Sequence, residues 1–142
     1  MSTTATPIFP QTIACTFYQF TNSTGTTIES FWTGSANGMV INSIIVTSTD
    51  TVARDLLLYF TVGATNYLFG SVSIPAGAGN AGNPATIPSV NLLGSSQLPG
   101  IARDSNGNPF LQVPAGQIFS LAMGTTITSG KLVNVTALGG YF

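Results

Sequence analysis

Hydrophobic and polar residues alternate along most of this chain in short segments, and turn-forming residues separate the segments. An alternation with a period of two is typical of β-strands that bury one face. The sequences TGSANG, STDTV and SNGNP lie between segments and favour turns. The predicted strands are TIACTFYQF (12–20), GMVINSIIVTS (38–48), DLLLYFTVG (55–63), TNYLFGSVSI (65–74), FLQV (110–113), QIFSLAM (117–123) and KLVNVTA (131–137).

The phase of the alternation predicts which side chains share a face of each strand. Residues two apart point to the same side of a sheet, so the more apolar set is expected to face the core. The shared faces are Val40, Ile44 and Val46, with Ile41 and Ile45 opposite; Leu56, Leu58, Phe60 and Val62; Leu68, Val72 and Ile74; Phe119, Leu121 and Met123; and Val133, Val135 and Ala137.

Short strands joined by glycine-rich turns, with no helical period, predict an all-β chain that folds as a single-domain antiparallel β-sandwich. Among sandwiches we favour the eight-stranded jelly roll over an immunoglobulin-like fold. The immunoglobulin fold places a core tryptophan between two paired cysteines, whereas this chain has one Trp and one Cys. The pattern allows one helical turn, in PSVNLLGSSQLPG (88–100), and Asn106-Gly107 predicts a type I′ hairpin.

Residues 1–11, MSTTATPIFPQ, show no alternation and contain two prolines and no charge. Disordered tails are usually charged and poor in hydrophobic residues, yet this segment holds the adjacent pair Ile8 and Phe9. We therefore divide the chain into an extended N-terminal arm, 1–11, and a β-sandwich domain, 12–142. Ile8 and Phe9 are predicted to dock on a neighbouring subunit or on another protein, and Trp32 is a further candidate interface residue.

Charged residues make up 5% of the 142 residues, where soluble domains average about 25%. Such a surface suits a protein that lies against other protein, so we expect a homo-oligomer, a dimer or trimer. The three cations, Arg54, Arg103 and Lys131, are far apart in sequence, and nucleic-acid binding is not expected. No apolar run approaches 18 residues and no secretory signal is recognisable, so we expect no membrane association and a cytosolic origin.

The groups that usually perform enzymatic chemistry are scarce. The chain has no histidine, which excludes Ser-His-Asp and Cys-His arrangements. Asp50 and Asp55 are close in sequence, but Asp50 lies in a turn, where its carboxylate is expected to bond its own backbone. The single Cys15 is predicted to be a buried strand residue. We predict a protein that is not an enzyme, with no catalytic residue, no cofactor, no cofactor-binding residue and no metal site.

The segment from Gly77 to Gly82 spells G-x-G-x-x-G, the fingerprint of dinucleotide-binding folds. That fingerprint requires a helix directly after the glycines, so that amides at the helix N-terminus meet the pyrophosphate. Pro84 and Pro88 lie where the helix would run, and proline in a helix interior costs roughly 3 kcal/mol. We predict a glycine-rich loop without nucleotide affinity.

The region from about residue 38 to 142 resembles the head decoration, or cement, proteins that coat the capsids of tailed bacteriophages. The resemblance is carried by turn-and-strand motifs: I-P-A-G (74–77), V-N-L-L (90–93), L-P-G (98–100), N-G-N-P-F-L-x-V-P-A-G (106–116) and T-S-G-K-x-V-x-V (128–135). It implies a jelly roll, a homo-oligomer and binding to the major capsid protein. It also implies a place on the capsid exterior of a virion, after synthesis in the cytoplasm of the host bacterium.

Two alternatives stay open beside this resemblance. One is another part of the virion, such as a tail, baseplate or fibre component. The second is a carbohydrate-binding β-sandwich module, in which exposed aromatic residues such as Trp32, Tyr67 or Tyr141 would stack on sugars.

Overall fold

The structure is a computed structural model and describes residue 10, residues 12–80 and residues 87–142. These residues form β-strands and one short 3-10 helix, Asn22–Thr24. The strands are β1 Thr12–Phe20, β2 Glu29–Thr33, β3 Met39–Ser48, β4 Arg54–Val62, β5 Thr65–Ile74, β6 Val90–Asn91, β7 Ala102–Arg103, β8 Pro109–Val113, β9 Ile118–Met123 and β10 Val133–Tyr141.

The strands form two sheets in which every neighbouring pair is antiparallel. The first sheet has the order β1-β10-β3-β8-β7, and the short β6 also pairs with β3. The second sheet has the order β2-β9-β4-β5. The predicted all-β architecture with two antiparallel sheets is therefore confirmed.

One hydrophobic core lies between the two sheets. The faces predicted for β9 and β10 are confirmed, because Phe119, Leu121 and Met123 are buried together with Val133, Val135 and Ala137. Side chains from both sheets belong to the same cluster of buried residues. Burying apolar area at about 25 cal/mol per Å² is the main force that holds two such sheets together.

The faces predicted for β3 are confirmed from Ile44 to Val46, but the assignment of Val40 and Ile41 is wrong because the strand contains a β-bulge. Along β10 the pairing passes from Leu138 with Ser43 to Gly139 with Ile41, so that Asn42 is an extra residue. One extra residue reverses the direction of every later side chain relative to a regular strand. Ile41 and Ile44 are both fully buried as a result, although the alternation assigned them to opposite faces.

A second bulge corrects the predicted face of β5. Leu58 pairs with Gly70 and Tyr59 pairs with Leu68, which leaves Phe69 as the extra residue. Leu68 is consequently 61% exposed instead of sharing the buried face of Val72 and Ile74.

The predicted face of β4 is confirmed except at its end. Leu56 and Leu58 are fully buried, and the half-buried Phe60 packs against the core, with its ring centroid 5.9 Å from that of Phe119. Val62, at the end of the strand, is exposed. The Phe69 ring packs edge-on against Phe60, with ring centroids 5.4 Å apart.

Two local predictions fail in the connections. The segment after Pro88 forms no helix; β6 is followed by successive turns in which Ser95 N–H donates to Leu92 O and Leu98 N–H donates to Ser95 O. The β7–β8 hairpin exists, but its turn is not type I′, which needs positive φ at both central residues. Gly107 has φ 82°, whereas no non-glycine residue in the described part of the chain has positive φ.

Candidate interaction surfaces

Trp32 lies in β2 and is 5% exposed. Its Nε1–H donates a 2.6 Å hydrogen bond to the hydroxyl of Tyr141, and the two rings meet at 90° with centroids 6.1 Å apart. A buried ring offers little surface to a partner or to a sugar, so this geometry does not favour Trp32 as an interface residue. The other two interface candidates, Ile8 and Phe9, lie outside the described residues.

The glycine segment forms a turn over its described part, 77–80. Its backbone amides already have acceptors: Gly77 N–H donates to Asp50 O, Gly79 N–H to Ile87 O and Asn80 N–H to Gly77 O. A phosphate site needs amides that are free to donate to the anion. These bonds are the physical reason that the described part of the segment lacks the geometry of a dinucleotide site; Gly82 and Pro84 lie outside it.

Asp50 is the buried carboxylate of the chain's described part, and it joins the β3–β4 connection to β4 and to the β9–β10 connection. It follows β3, and its side chain accepts hydrogen bonds from Arg54 Nε at 2.8 Å, Thr128 Oγ1 at 2.8 Å, Thr128 N at 3.1 Å and Val52 N at 3.1 Å. The predicted bond to its own backbone is thus present at Val52. Arg54 continues the network to the hydroxyl of Thr125 at 3.0 Å.

The electrostatics of Asp50 are those of a structural ion pair. Burial alone would raise the pKa of this carboxyl, but the hydrogen bonds from Thr128, Arg54 and Val52 hold its pKa well below the usual range. A permanently ionised carboxylate whose lone pairs are occupied is a poor general acid or base. Asp55 is exposed, and the two carboxylates share no hydrogen bond in the network described above.

Asp104 holds the exposed β7–β8 turn. Its carboxylate accepts hydrogen bonds from Asn106 N at 2.8 Å and from Asn108 N at 2.9 Å. The bond from the Asn108 backbone lowers the pKa of Asp104. Over the described ranges, no three His, Cys, Asp or Glu side chains are grouped closely enough to hold a metal ion, and no helix is long and apolar enough to cross a membrane.

The largest departure from the predicted burial pattern is on β1. Cys15 is exposed, which corrects its prediction as a buried residue. Ile13 is 94% exposed and Phe17 is 68% exposed on the same face of the strand. Leu138, directly across from Cys15 on β10, is 51% exposed. We call these four residues the β1 apolar strip.

The sequence indicates which residues of this strip share a face of the strand, but not whether that face points to the core or to solvent. Alternation in TIACTFYQF separates Ile13, Cys15 and Phe17 from Ala14, Thr16 and Tyr18. The first set is the more apolar, and the core would be expected to take it. The structure places the second set inward, so the more apolar face meets solvent.

A groove on the open side of β3 and β8 is the clearest polar depression. It has a volume of about 670 Å³. Exposed amide side chains line it together with the half-buried ring of Phe110. The bulge at Asn42 directs that side chain toward the groove, as bulges beside functional sites often do. We call this the amide groove; its amides are Asn42, Asn91, Asn108 and Gln112.

Taken together, the candidate sites are an apolar strip on an edge strand and a groove lined by amide side chains together with the carboxylate of Asp104. Comparison of the chain with protein-family models, with curated proteins and with solved structures found no match.

Proposed function

We propose that this chain is a non-enzymatic structural protein of a bacteriophage virion. It decorates and stabilises the capsid from outside by binding the major capsid protein, and it acts as a homo-oligomer. The observation that carries the proposal is the β1 apolar strip, exposed on a sandwich whose residues are 5% charged. Exposed apolar patches on soluble domains mark sites of association.

The jelly-roll assignment belongs to the same proposal. When the two-residue strands β6 and β7 are set aside, eight strands remain. The order in the first sheet is then first, eighth, third, sixth, and in the second sheet second, seventh, fourth, fifth. This order supports a jelly roll, a fold common among viral capsid domains.

Binding to capsids tests the proposal. Particles of the phage that encodes this chain would be prepared from a mutant lacking the gene, and purified protein would be added back. We expect saturable co-sedimentation with the capsids and a raised temperature of capsid disruption. A reconstruction of the particles would then separate capsid decoration from a place in the tail, baseplate or fibre. Absence of the protein from all these positions would contradict the proposal.

The amide groove favours a second candidate function, carbohydrate binding. Uncharged sugars are bound through hydroxyl hydrogen bonds and through contact of their apolar faces with aromatic rings, and the groove offers amides beside Phe110. This site differs from the aromatic platforms considered above: Trp32 is buried and the hydroxyl of Tyr141 is bonded to it, while Tyr67 is 59% exposed on the β4–β5 hairpin.

A glycan screen tests this second function. We expect any bound sugar to raise the unfolding temperature of the isolated protein, and Asn42→Ala with Asn91→Ala to abolish that rise. Asn66→Ala, on the distant β4–β5 hairpin, is the control. Binding that survives the two groove substitutions would exclude the groove as the site.

A further inference from the structure

Apart from β1, the edge strands of the described sheets are β2, β5, β7 and the two-residue β6, and each has a feature that limits strand pairing with other molecules. β7 is two residues long and includes Arg103. β2 is five residues long, has a bulge and begins with Glu29. β5 has a bulge at Phe69, and the segment 92–101 lies against its second half, where Gln97 Oε1 accepts a 2.8 Å hydrogen bond from Ser73 N–H. Short length, charge, bulges and covering loops are the usual ways in which proteins block edge strands.

β1 has none of these features. It is nine residues long, it contains no charged residue, and its register with β10 runs without a break from Thr12 with Tyr141 to Phe20 with Val133. Among the described residues β10 is its only sheet partner. A long, uncharged and regular edge presents a row of backbone donors and acceptors to any matching strand.

The burial of the inner face also indicates a missing neighbour at this edge. On β1 the inward-facing residues Ala14, Thr16 and Tyr18 are only half-buried, whereas Phe20 at the end of the strand is fully buried. On the adjacent β10 the inward-facing Val135 and Ala137 are fully buried. From Ala14 to Tyr18 the core is therefore covered less well at the β1 edge than one strand further in.

We propose that the β1 strands of two copies of this chain pair antiparallel across a two-fold axis at Cys15, which joins their first sheets into one continuous sheet. The inference deepens the proposed function, on which it rests only for the expectation of a homo-oligomer. A second copy is the occupant that matches best, because an uncharged strand is complementary to itself and isologous two-fold contacts bring the same patch together.

Side-chain pairing selects the axis at Cys15. This register sets Ile13 of each copy opposite Phe17 of the other, on the same face, and sets the two Cys15 side chains opposite each other. Cross-strand contacts between aromatic and β-branched side chains stabilise a sheet. A two-fold at Thr16 would instead set Ile13 opposite Gln19 and lose that contact.

The two registers predict different distances between the cysteines. Directly opposite residues in antiparallel strands have Cα atoms about 4.5 to 5.5 Å apart, within the range of about 4.4 to 6.8 Å that a disulfide spans. In the register centred on Thr16 the two Cys15 residues would be diagonal neighbours at roughly 7 to 8 Å, too far for a bridge. Cys15 therefore serves as a built-in reporter of the register.

The first experiment oxidises the purified protein with diamide, which accepts the two electrons and two protons released by a pair of thiols. We expect a covalent dimer on a non-reducing gel within minutes at micromolar protein. The matched control, Leu68→Cys with Cys15→Ser, moves the thiol to the exposed position on β5 and should stay mostly uncrosslinked.

Two further variants test the register itself. Ile13→Cys and Phe17→Cys, each combined with Cys15→Ser, should crosslink poorly alone and efficiently when mixed, since residues 13 and 17 of opposite copies would face each other. Equal crosslinking alone and mixed would overturn the register. So would crosslinking of the Leu68→Cys control to the same extent as the wild type.

The second experiment measures association without a covalent bond, by sedimentation. The double substitution Ile13→Lys and Phe17→Lys places like charges opposite each other twice, and we expect association weakened about tenfold or more. Leu68→Lys is the control and should associate like the wild type. Mixing Ile13→Lys with Phe17→Glu should restore a mixed dimer. Ile13 is 94% exposed, so circular dichroism should show an intact fold.

The outcomes separate this inference from the proposed function. A wild-type monomer at micromolar concentration would overturn the β1 contact, while add-back to capsids would still test decoration. If the double lysine variant associates as tightly as the wild type, the β1 contact would be overturned, while the expectation of a homo-oligomer would hold. Loss of the dimer with the lysines, together with rescue by opposite charge, would support the contact whether or not capsids are bound.

Discussion

The edge strands β1 and β5 are nearly equal in length and carry no charge, yet the structure treats them differently. β1 runs in unbroken register with β10 and has its more apolar face exposed. β5 contains a bulge at Phe69, and the segment 92–101 covers its second half, from Gly70 to Ser73. Whether an edge strand is open to partners therefore depends on which segments pack against it and not on its composition.

The cover over β5 depends on one close approach. Leu98 is 6% exposed and its side chain lies over Gly70, where a Cβ atom would collide with the leucine Cδ2. A side chain at position 70 would have to displace the end of the Leu98 side chain from its present place. β1 contains no glycine, and no loop among the described residues packs against its open edge.

The largest expected change in the free energy of unfolding comes from Asp50, which lies in neither edge strand. Asp50→Ala removes the acceptor of the hydrogen bonds from Arg54, Val52 and Thr128 and leaves the arginine without its ion partner. Breaking a buried ion pair costs about 3 to 5 kcal/mol of the free energy of unfolding, measured by urea titration. Because Asp50 joins the β3–β4 and β9–β10 connections, each of which links one sheet to the other, hydrogen exchange should accelerate in β1 and β5 alike.

The control for this change is Asp55→Ala, which removes an exposed carboxylate five residues away. Surface substitutions of this kind usually change stability by less than about 0.5 kcal/mol. If Asp55→Ala lowered the free energy of unfolding as much as Asp50→Ala, the loss would come from the change in net charge and not from the buried ion pair. If β1 alone became less protected, the two edges would not belong to one cooperative unit.

Lowering the pH should remove part of the stability that ionised Asp50 contributes. The pKa of Asp50 is lowered in the folded protein, so its stabilising effect is complete above the carboxyl pKa of the unfolded chain, about 3.9. It is lost as the pH falls from there toward the lower folded value. The free energy of unfolding should therefore decrease below about pH 4, and the decrease should be smaller in Asp50→Ala. An equal decrease in both proteins would contradict the assignment to Asp50.

A smaller change tests the cover directly. Leu98→Ala removes buried side-chain volume and should cost about 2 to 3 kcal/mol in the free energy of unfolding. It should also open the β5 edge, so that the variant associates through a second surface and forms larger particles in sedimentation. Adding the Ile13→Lys and Phe17→Lys substitutions should remove the β1 contact and leave the new association. Larger particles that vanish with those lysines would show that β5 remained covered.

The smallest effect is expected at the hydrogen bond that attaches the loop to the strand. Gln97→Ala removes the acceptor of Ser73 N–H at an exposed position, where water replaces much of the bond, and should cost about 0.5 to 1 kcal/mol. Exchange of the Ser73 amide should accelerate more than that of other β5 amides. Gln112→Ala, an exposed glutamine on β8, is the control, and comparable acceleration in it would rule out a local effect.

Local pattern was enough to predict the sandwich and much of its core. β9 and β10 keep a strict alternation, and their predicted inward faces are buried. β2 escaped prediction because its bulge near Phe31 places Phe31 and Trp32 inside together, which breaks the alternation. The exposed Leu68 and the buried pair Ile41 and Ile44 have the same cause. A bulge adds a residue without any composition signal strong enough to reveal it.

By itself, the sequence determined that this protein is built of paired strands and that it lacks histidine-based chemistry, since periodicity and residue inventory are local properties. Tertiary structure alone decided which face of β1 turns inward and which edge is covered. The alternation around Cys15 shows which side chains share a face of β1. It does not show which face is buried, because either face could point to the core with the same two-residue period. The closure of β5 depends on Leu98 meeting Gly70 from a distant part of the chain, a contact that no local pattern encodes.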